Sequence, residues 1–159
     1  MTVEPTEQPL REPAVDEPLG WGRTPAGLWA AGGWLTWAAG LVLMLSPFMS
    51  WYAGSGEGLT IAVIGWHTGA LGKLVFVLGA AIILLGVLRE FGIELPPAVP
   101  ESLVVVVIGA LATIFVLIRL ISIPDRFFPW DGRGIGIWIA LAAAIGVIVA
   151  GILRASEEL

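Results

Sequence analysis

The chain has 159 residues, of which 57% are hydrophobic and 13% charged, against about a quarter charged in an ordinary soluble domain; its mean hydropathy of +0.91 fits a compact unit immersed in lipid. The net charge of −5 comes without any Lys/Arg cluster, which excludes a nucleic-acid-binding surface. The absence of cysteine excludes disulfides, thiolate metal sites and a cysteine nucleophile.

Residues 1–24 open the chain as an acidic tail. Glu4, Glu7, Glu12, Asp16 and Glu17 stand against Arg11, among four prolines in the first twenty residues. Low hydrophobicity, net charge and proline predict disorder, and the basic start and early apolar run of a signal peptide are missing. A spanning helix needs about 20 apolar residues, because each rises about 1.5 Å through about 30 Å of hydrocarbon. Four stretches meet that length, at roughly 26–49, 69–88, 103–123 and 135–153. Their apolar runs are continuous rather than alternating, so they read as helices and not as barrel strands. The prolines of "ELPPAVPES" (94–102) and "IPDRFFPWDGRG" (123–134) end the second and third spans. Short connections predict an all-α membrane protein, an up-down bundle of four transmembrane helices over residues 25–155, followed by a short tail, 156–159.

The connection between the first two spans is the least ordinary part of the chain. "LTIAVIG" (59–65) is β-branched and bounded by glycine, and reads either as a small strand on the bundle or as an early turn of the second helix. Trp51, Tyr52 and Trp66 fall where those helices leave the apolar layer. Together with Trp130 and Trp138 they read as interfacial aromatics, since a ring with a polar edge suits the boundary between lipid and water.

Gly65, Gly72, Gly79 and Gly86 recur every seven residues. That step nearly completes two helical turns, so the four share one stripe on which a second backbone can approach closely. Gly146, flanked by Ala142 and Ala150, offers a similar surface on the fourth span. Such stripes serve packing within the bundle or contact with another copy or partner.

Lys73 and Arg119 lie inside apolar runs, on the same side of the membrane as His67. Intramembrane charges point to function, yet both stand within about two turns of a helix end, where a long stem can snorkel to water. Glu57 and Asp125 are candidate counter-ions on that side. His67 has no partner spacing for a metal, and haem would want a second axial ligand; its titration near neutrality suits a pH sensor. No carboxylate lies deep in a span, and no motif for a reaction is present, so neither catalysis nor a cofactor is expected.

With the spans placed, "LSPFMSWY", "IGW", "LIRLISIP" and "GIGIW" mark a resemblance. The chain resembles a widespread group of uncharacterised four-helix integral membrane proteins of Gram-positive bacteria, chiefly actinobacteria, over roughly residues 27–154. Where those proteins often carry an acidic residue near the start of the second helix, this chain has Gly69, Gly72 and Lys73. The resemblance implies the four-helix fold, a bacterial plasma membrane and no activity. Lys and Arg number four on each side of the proposed bundle, so charge does not set its orientation; the missing export signal places both termini in the cytoplasm. The expected role is a non-catalytic structural or accessory component that contacts the lipid bilayer and either itself or another membrane protein. Two rivals stand beside it. One is a small transporter or channel subunit with the Lys73–Arg119 side as an anion-attracting mouth. The other is an envelope stress or pH sensor built on His67 and the aromatic loops.

Overall fold

In a computed structural model of the protein, residues 26–56, 59–93, 95–122 and 132–158 are described. They form four α-helices, α1 (Ala26–Leu45), α2 (Ala70–Glu90), α3 (Glu101–Ile121) and α4 (Ile135–Glu158). By length and composition, α2, α3 and Ile135–Glu157 of α4 can each cross a membrane, and a shorter apolar helical stretch, Gly32–Phe48, runs from α1 through the 3₁₀ turn that follows it. The structure is mostly helical but not all-α. Three short strands, β1 (Ser50–Gly56), β2 (Leu59–Ile64) and β3 (Gly132–Arg133), form a sheet in the order β2-β1-β3. "LTIAVIG" is therefore a strand followed by a 3₁₀ turn, Gly65–Thr68, and not the first turn of α2.

Local chemistry explains the boundaries. Gly92, at φ 74°, closes α2: its N–H bonds to the Arg89 carbonyl and the Ile93 N–H to the Leu88 carbonyl, both at 2.9 Å. This paired closure needs a left-handed residue after the helix, where glycine carries no Cβ penalty. Pro100 caps α3 and Glu101 sits in its first turn, where a carboxylate meets the positive end of the helix dipole. The C-terminal "RASEE" continues α4 to Glu158 instead of forming a separate tail.

The interior is narrow and filled by small side chains. On α2 the buried residues are Gly72, Val75, Gly79, Ile82 and Gly86; on α3 they are Ser102, Val105, Gly109, Ala112 and Val116. Both series alternate steps of three and four, the spacing that keeps one stripe against a neighbouring helix. Gly72 lies against the 3₁₀ turn, and Gly79 and Gly86 meet α1. A Cβ at Gly79 would lie 2.5 Å from the Met44 nitrogen, and one at Gly86 would lie 2.9 Å from the Trp37 ring. Gly65 does not share that helix; it lies in the 3₁₀ turn, where a Cβ would stand 2.5 Å from the Trp51 ring. Gly146 is not a forced contact either, since a Cβ there meets the Ala39 Cβ at an ordinary 3.4 Å. The close approach of α3 to α4 falls instead at Gly109 and Gly151, which lie against Ile148 and Val106.

These distances predict the cost of added methyl groups. Gly79→Ala should push α1 from α2 and lower stability by about 1–3 kcal/mol, as overpacking does, because backbone atoms block the new Cβ. Gly146→Ala should be neutral or slightly stabilising through helix propensity. Thermal unfolding of the two variants in detergent checks this; equal melting would contradict the packing described.

Candidate functional site

The residues proposed from sequence are described only in part. Glu57, Asp125 and Trp130 lie outside the described residues. Lys73 is exposed, with Nζ 5.7 Å from the centroid of the Trp66 ring, a distance at which a cation is drawn to the ring face. Trp66 also stacks on Phe48 at 5.4 Å and meets Phe76 edge-on at 5.5 Å. His67 is exposed. Trp138 is 52% exposed on the outer side of α4.

Trp51 and Tyr52 overturn the interfacial reading, because both are completely buried. The register of β1 against β2 shifts between Ser50 and Tyr52. Such an irregularity re-aims side chains, so that two consecutive residues both face protein. The Trp51 ring fills the space left at Gly65, and its Nε1 donates to the Ser46 carbonyl at 2.9 Å. The Tyr52 hydroxyl donates to the Arg119 carbonyl at 2.7 Å. Arg133, paired with Tyr52 across the sheet, donates from Nε to the Leu120 carbonyl at 2.6 Å. The Ile118 carbonyl accepts the Ser122 N–H at 2.8 Å. A helix ends in four carbonyls without helical partners; for α3, three are supplied by the turn and by two strands.

Arg119 likewise turns inward instead of snorkelling. Its guanidinium donates to the Thr68 carbonyl, at the end of the 3₁₀ turn before α2. Gly69 follows at φ 113°, and a Cβ there would lie 2.7 Å from the Arg119 Nη2. Glycine is thus required both by the backbone and by the arginine. Lys73 thus lies over the Trp66 ring and Arg119 on the Thr68 carbonyl.

The opposite ends of the helices hold a cluster that the sequence reading passed over. Arg154, near the end of α4, is 4% exposed. Its Nη1 donates to Glu101 Oε1 at 2.6 Å, and Arg89 Nη1 lies 3.9 Å from Glu101 Oε2. Removing one member of a buried pair costs about 3–5 kcal/mol, because the other charge is left unpaired. Among the described residues, the Arg154 Nε, like the Arg119 Nε, is buried without a partner. Beside the Arg154–Glu101 pair lies a cavity of about 370 Å³, bounded by Gly33, Trp34 and Trp37 of α1, Gly86, Arg89 and Glu90 of α2, and Arg154 and Glu157 of α4. The signal available was spacing: Arg154 continues the inward series Ala140, Ala144, Val147 and Ala150 by steps of three and four.

No protein-family model, curated protein or solved structure matches the chain. Among the described residues, no group of three or more His, Cys, Asp or Glu is placed to hold a metal. What the two ends offer is hydrogen bonding and charge, at the sheet for holding helix ends and at the cavity for a polar ligand.

Burial raises the pKa of Tyr52 above its ordinary value of 10.0, against the opposing pull of the Arg119 and Arg133 charges. The folded state therefore favours the protonated phenol. Its contribution to stability is complete below pH 10 and is lost as pH rises through the folded value. Tyr52 is the one tyrosine in the chain, so absorbance titration reads this group alone. The phenolate of folded protein should appear at higher pH than that of unfolded protein. Tyr52→Phe should remove this part of the alkaline loss of stability and cost about 1 kcal/mol at neutral pH, the worth of one hydrogen bond. An ordinary titration midpoint in the folded protein would contradict the burial.

Proposed function

We propose that the protein is a non-catalytic component of a bacterial plasma membrane, an up-down bundle of four spanning helices that acts structurally or as an accessory to itself or another membrane protein. One observation supports this most: the charged groups described on the helices lie near their ends. Between the ends, outward positions such as Val77, Leu84, Val107, Ile114 and Val149 are apolar and exposed. Inward positions are Gly, Ala, Val, Ile and Leu, with Thr36 and Thr113 bonded back to the Gly32 and Gly109 carbonyls. A proton or ion path needs polar groups across the middle of the bundle, and a packed interior of aliphatic residues supplies none.

In this reading both termini lie in the cytoplasm, with the sheet on the outer side. The resemblance to four-helix membrane proteins of actinobacteria agrees with that architecture. Since the chain has no cysteine, single cysteines at Ala98 and Gly132 give a clean test in whole cells. An impermeant thiol reagent should label Gly132→Cys and spare Ala98→Cys; the reverse would invert the topology, and labelling of both would contradict a spanning α3. Proteoliposomes should leak protons, potassium and chloride no faster than empty vesicles. A flux dependent on the protein would replace the accessory role with transport.

A further inference from the structure

The cavity between α1, α2 and α4 carries two carboxylates, Glu90 and Glu157, beyond the ion pairs made to Glu101. Its lining holds two guanidiniums, Arg89 and Arg154, two carboxylates, Glu90 and Glu157, and two indoles, Trp34 and Trp37. The ion pairs among the described residues run from the two arginines to Glu101; Glu90 and Glu157 form none. Glu157 is held over α1, with its Oε1 only 3.3 Å from where a Cβ would stand on Gly32.

We propose that this cavity binds the headgroup of a phospholipid bearing a primary amine, with its phosphate on Arg89 and Arg154 and its ammonium on Glu90, Glu157 and the indoles. The charges select this chemistry. Two cations, which share Glu101 between them, and two further anions line the cavity, so a simple anion meets the carboxylates and a simple cation meets the guanidiniums. A zwitterion satisfies both sets. Guanidinium groups bind phosphate through charge-assisted, paired hydrogen bonds. The ammonium bonds to carboxylates through its N–H groups and gains from the tryptophan faces; a quaternary amine has no such N–H. A volume of about 370 Å³ falls within the range of small-molecule sites.

Position selects a lipid over a soluble compound. The lining residues belong to the last turns of α2 and α4 and, on α1, to the beginning of the apolar stretch that starts at Gly32. Where helices span, those ends lie at headgroup level. Trp34 is 74% exposed beside the opening, and Leu41 and Leu84 are exposed further along α1 and α2, a surface on which acyl chains can lie. The inference rests on the membrane-spanning part of the reading above, and not on the accessory role.

The test is thermal unfolding of the detergent-purified protein, titrated with phosphatidylethanolamine, phosphatidylcholine, phosphatidylglycerol and soluble glycerophosphoethanolamine. Phosphatidylethanolamine should raise the Tm saturably, with half-saturation roughly tenfold lower than for the other two lipids, the equivalent of one charged hydrogen bond. Gly33→Leu supplies a steric block, since a Cβ at Gly33 has nothing within 4 Å. That variant should melt like wild type without lipid and lose the lipid-induced shift, and Glu157→Gln should weaken the shift. Equal response to all three lipids, or an unchanged response in both variants, would overturn the assignment. A shift with glycerophosphoethanolamine but none with the lipid would overturn the lipid source. Protein that remains monodisperse without detergent would instead overturn the membrane reading itself.

Discussion

The end of α3 sets the constraint on which much of the structure depends. Its last carbonyls have no helical partners, and in apolar surroundings an unpaired backbone group costs several kcal/mol. The chain meets that demand with residues far away in sequence. Tyr52 reaches the Arg119 carbonyl from β1, and Arg133 reaches the Leu120 carbonyl from β3. Both must be held in place, and the β1–β3 pairing holds them, with the Gly134 N–H bonded to the Trp51 carbonyl at 2.7 Å. Once β1 is fixed, Trp51 fills the space over Gly65, and the 3₁₀ turn brings the Thr68 carbonyl to Arg119. The sheet thus joins the end of α3 to the beginnings of α2 and α4.

Away from the sheet, the helices are joined by closeness rather than by polar bonds. Lipid gives no hydrophobic drive between apolar helices, so contact depends on dispersion between backbones that small residues let approach. Gly79 against Met44, Gly109 against Ile148 and Gly151 against Val106 are those approaches. Arg154 and Glu101 tie α4 to α3 at the far end. The interior is thereby committed to packing, and chemistry is left to the helix ends. The cavity at one end and the sheet at the other divide the polar residues between ligand recognition and backbone closure.

The helices were legible in the sequence because apolar length and proline punctuation are local signals. So were Gly72, Gly79 and Gly86 of the packing stripe, since a seven-residue glycine step maps directly onto a helix face, whereas Gly65 falls in the 3₁₀ turn before it. The strand at 59–64 was legible as one of two readings. β1 was not. "SWYAGSG" carries no alternating apolar pattern, and Trp and Tyr suit a membrane interface as well as a core. Their burial follows from a partner strand of two residues, Gly132 and Arg133, some eighty positions away (roughly, at about 3.3 Å of extended chain per residue, a distance no local window spans). Arg154 was passed over for a related reason. A charge beyond the last apolar run reads as solvated, and only its counter-ion on α3, fifty-three residues earlier, makes burial tolerable. Arg119 reads in sequence as a snorkelling charge, and the direction of its side chain depends on where the 3₁₀ turn falls.

The central claim is that the connection between α1 and α2 is a sheet locked to the ends of the other helices, and not an aromatic turn at the membrane surface. Amide hydrogen exchange of the full chain in detergent measures this most directly, because hydrogen-bonded, buried amides open only with the surrounding structure. The account predicts that the amides of Tyr52, Ala53 and Gly134 exchange as slowly as those in the middle of α3. Complete exchange of these amides at the earliest labelling time, with α3 still protected, would contradict it.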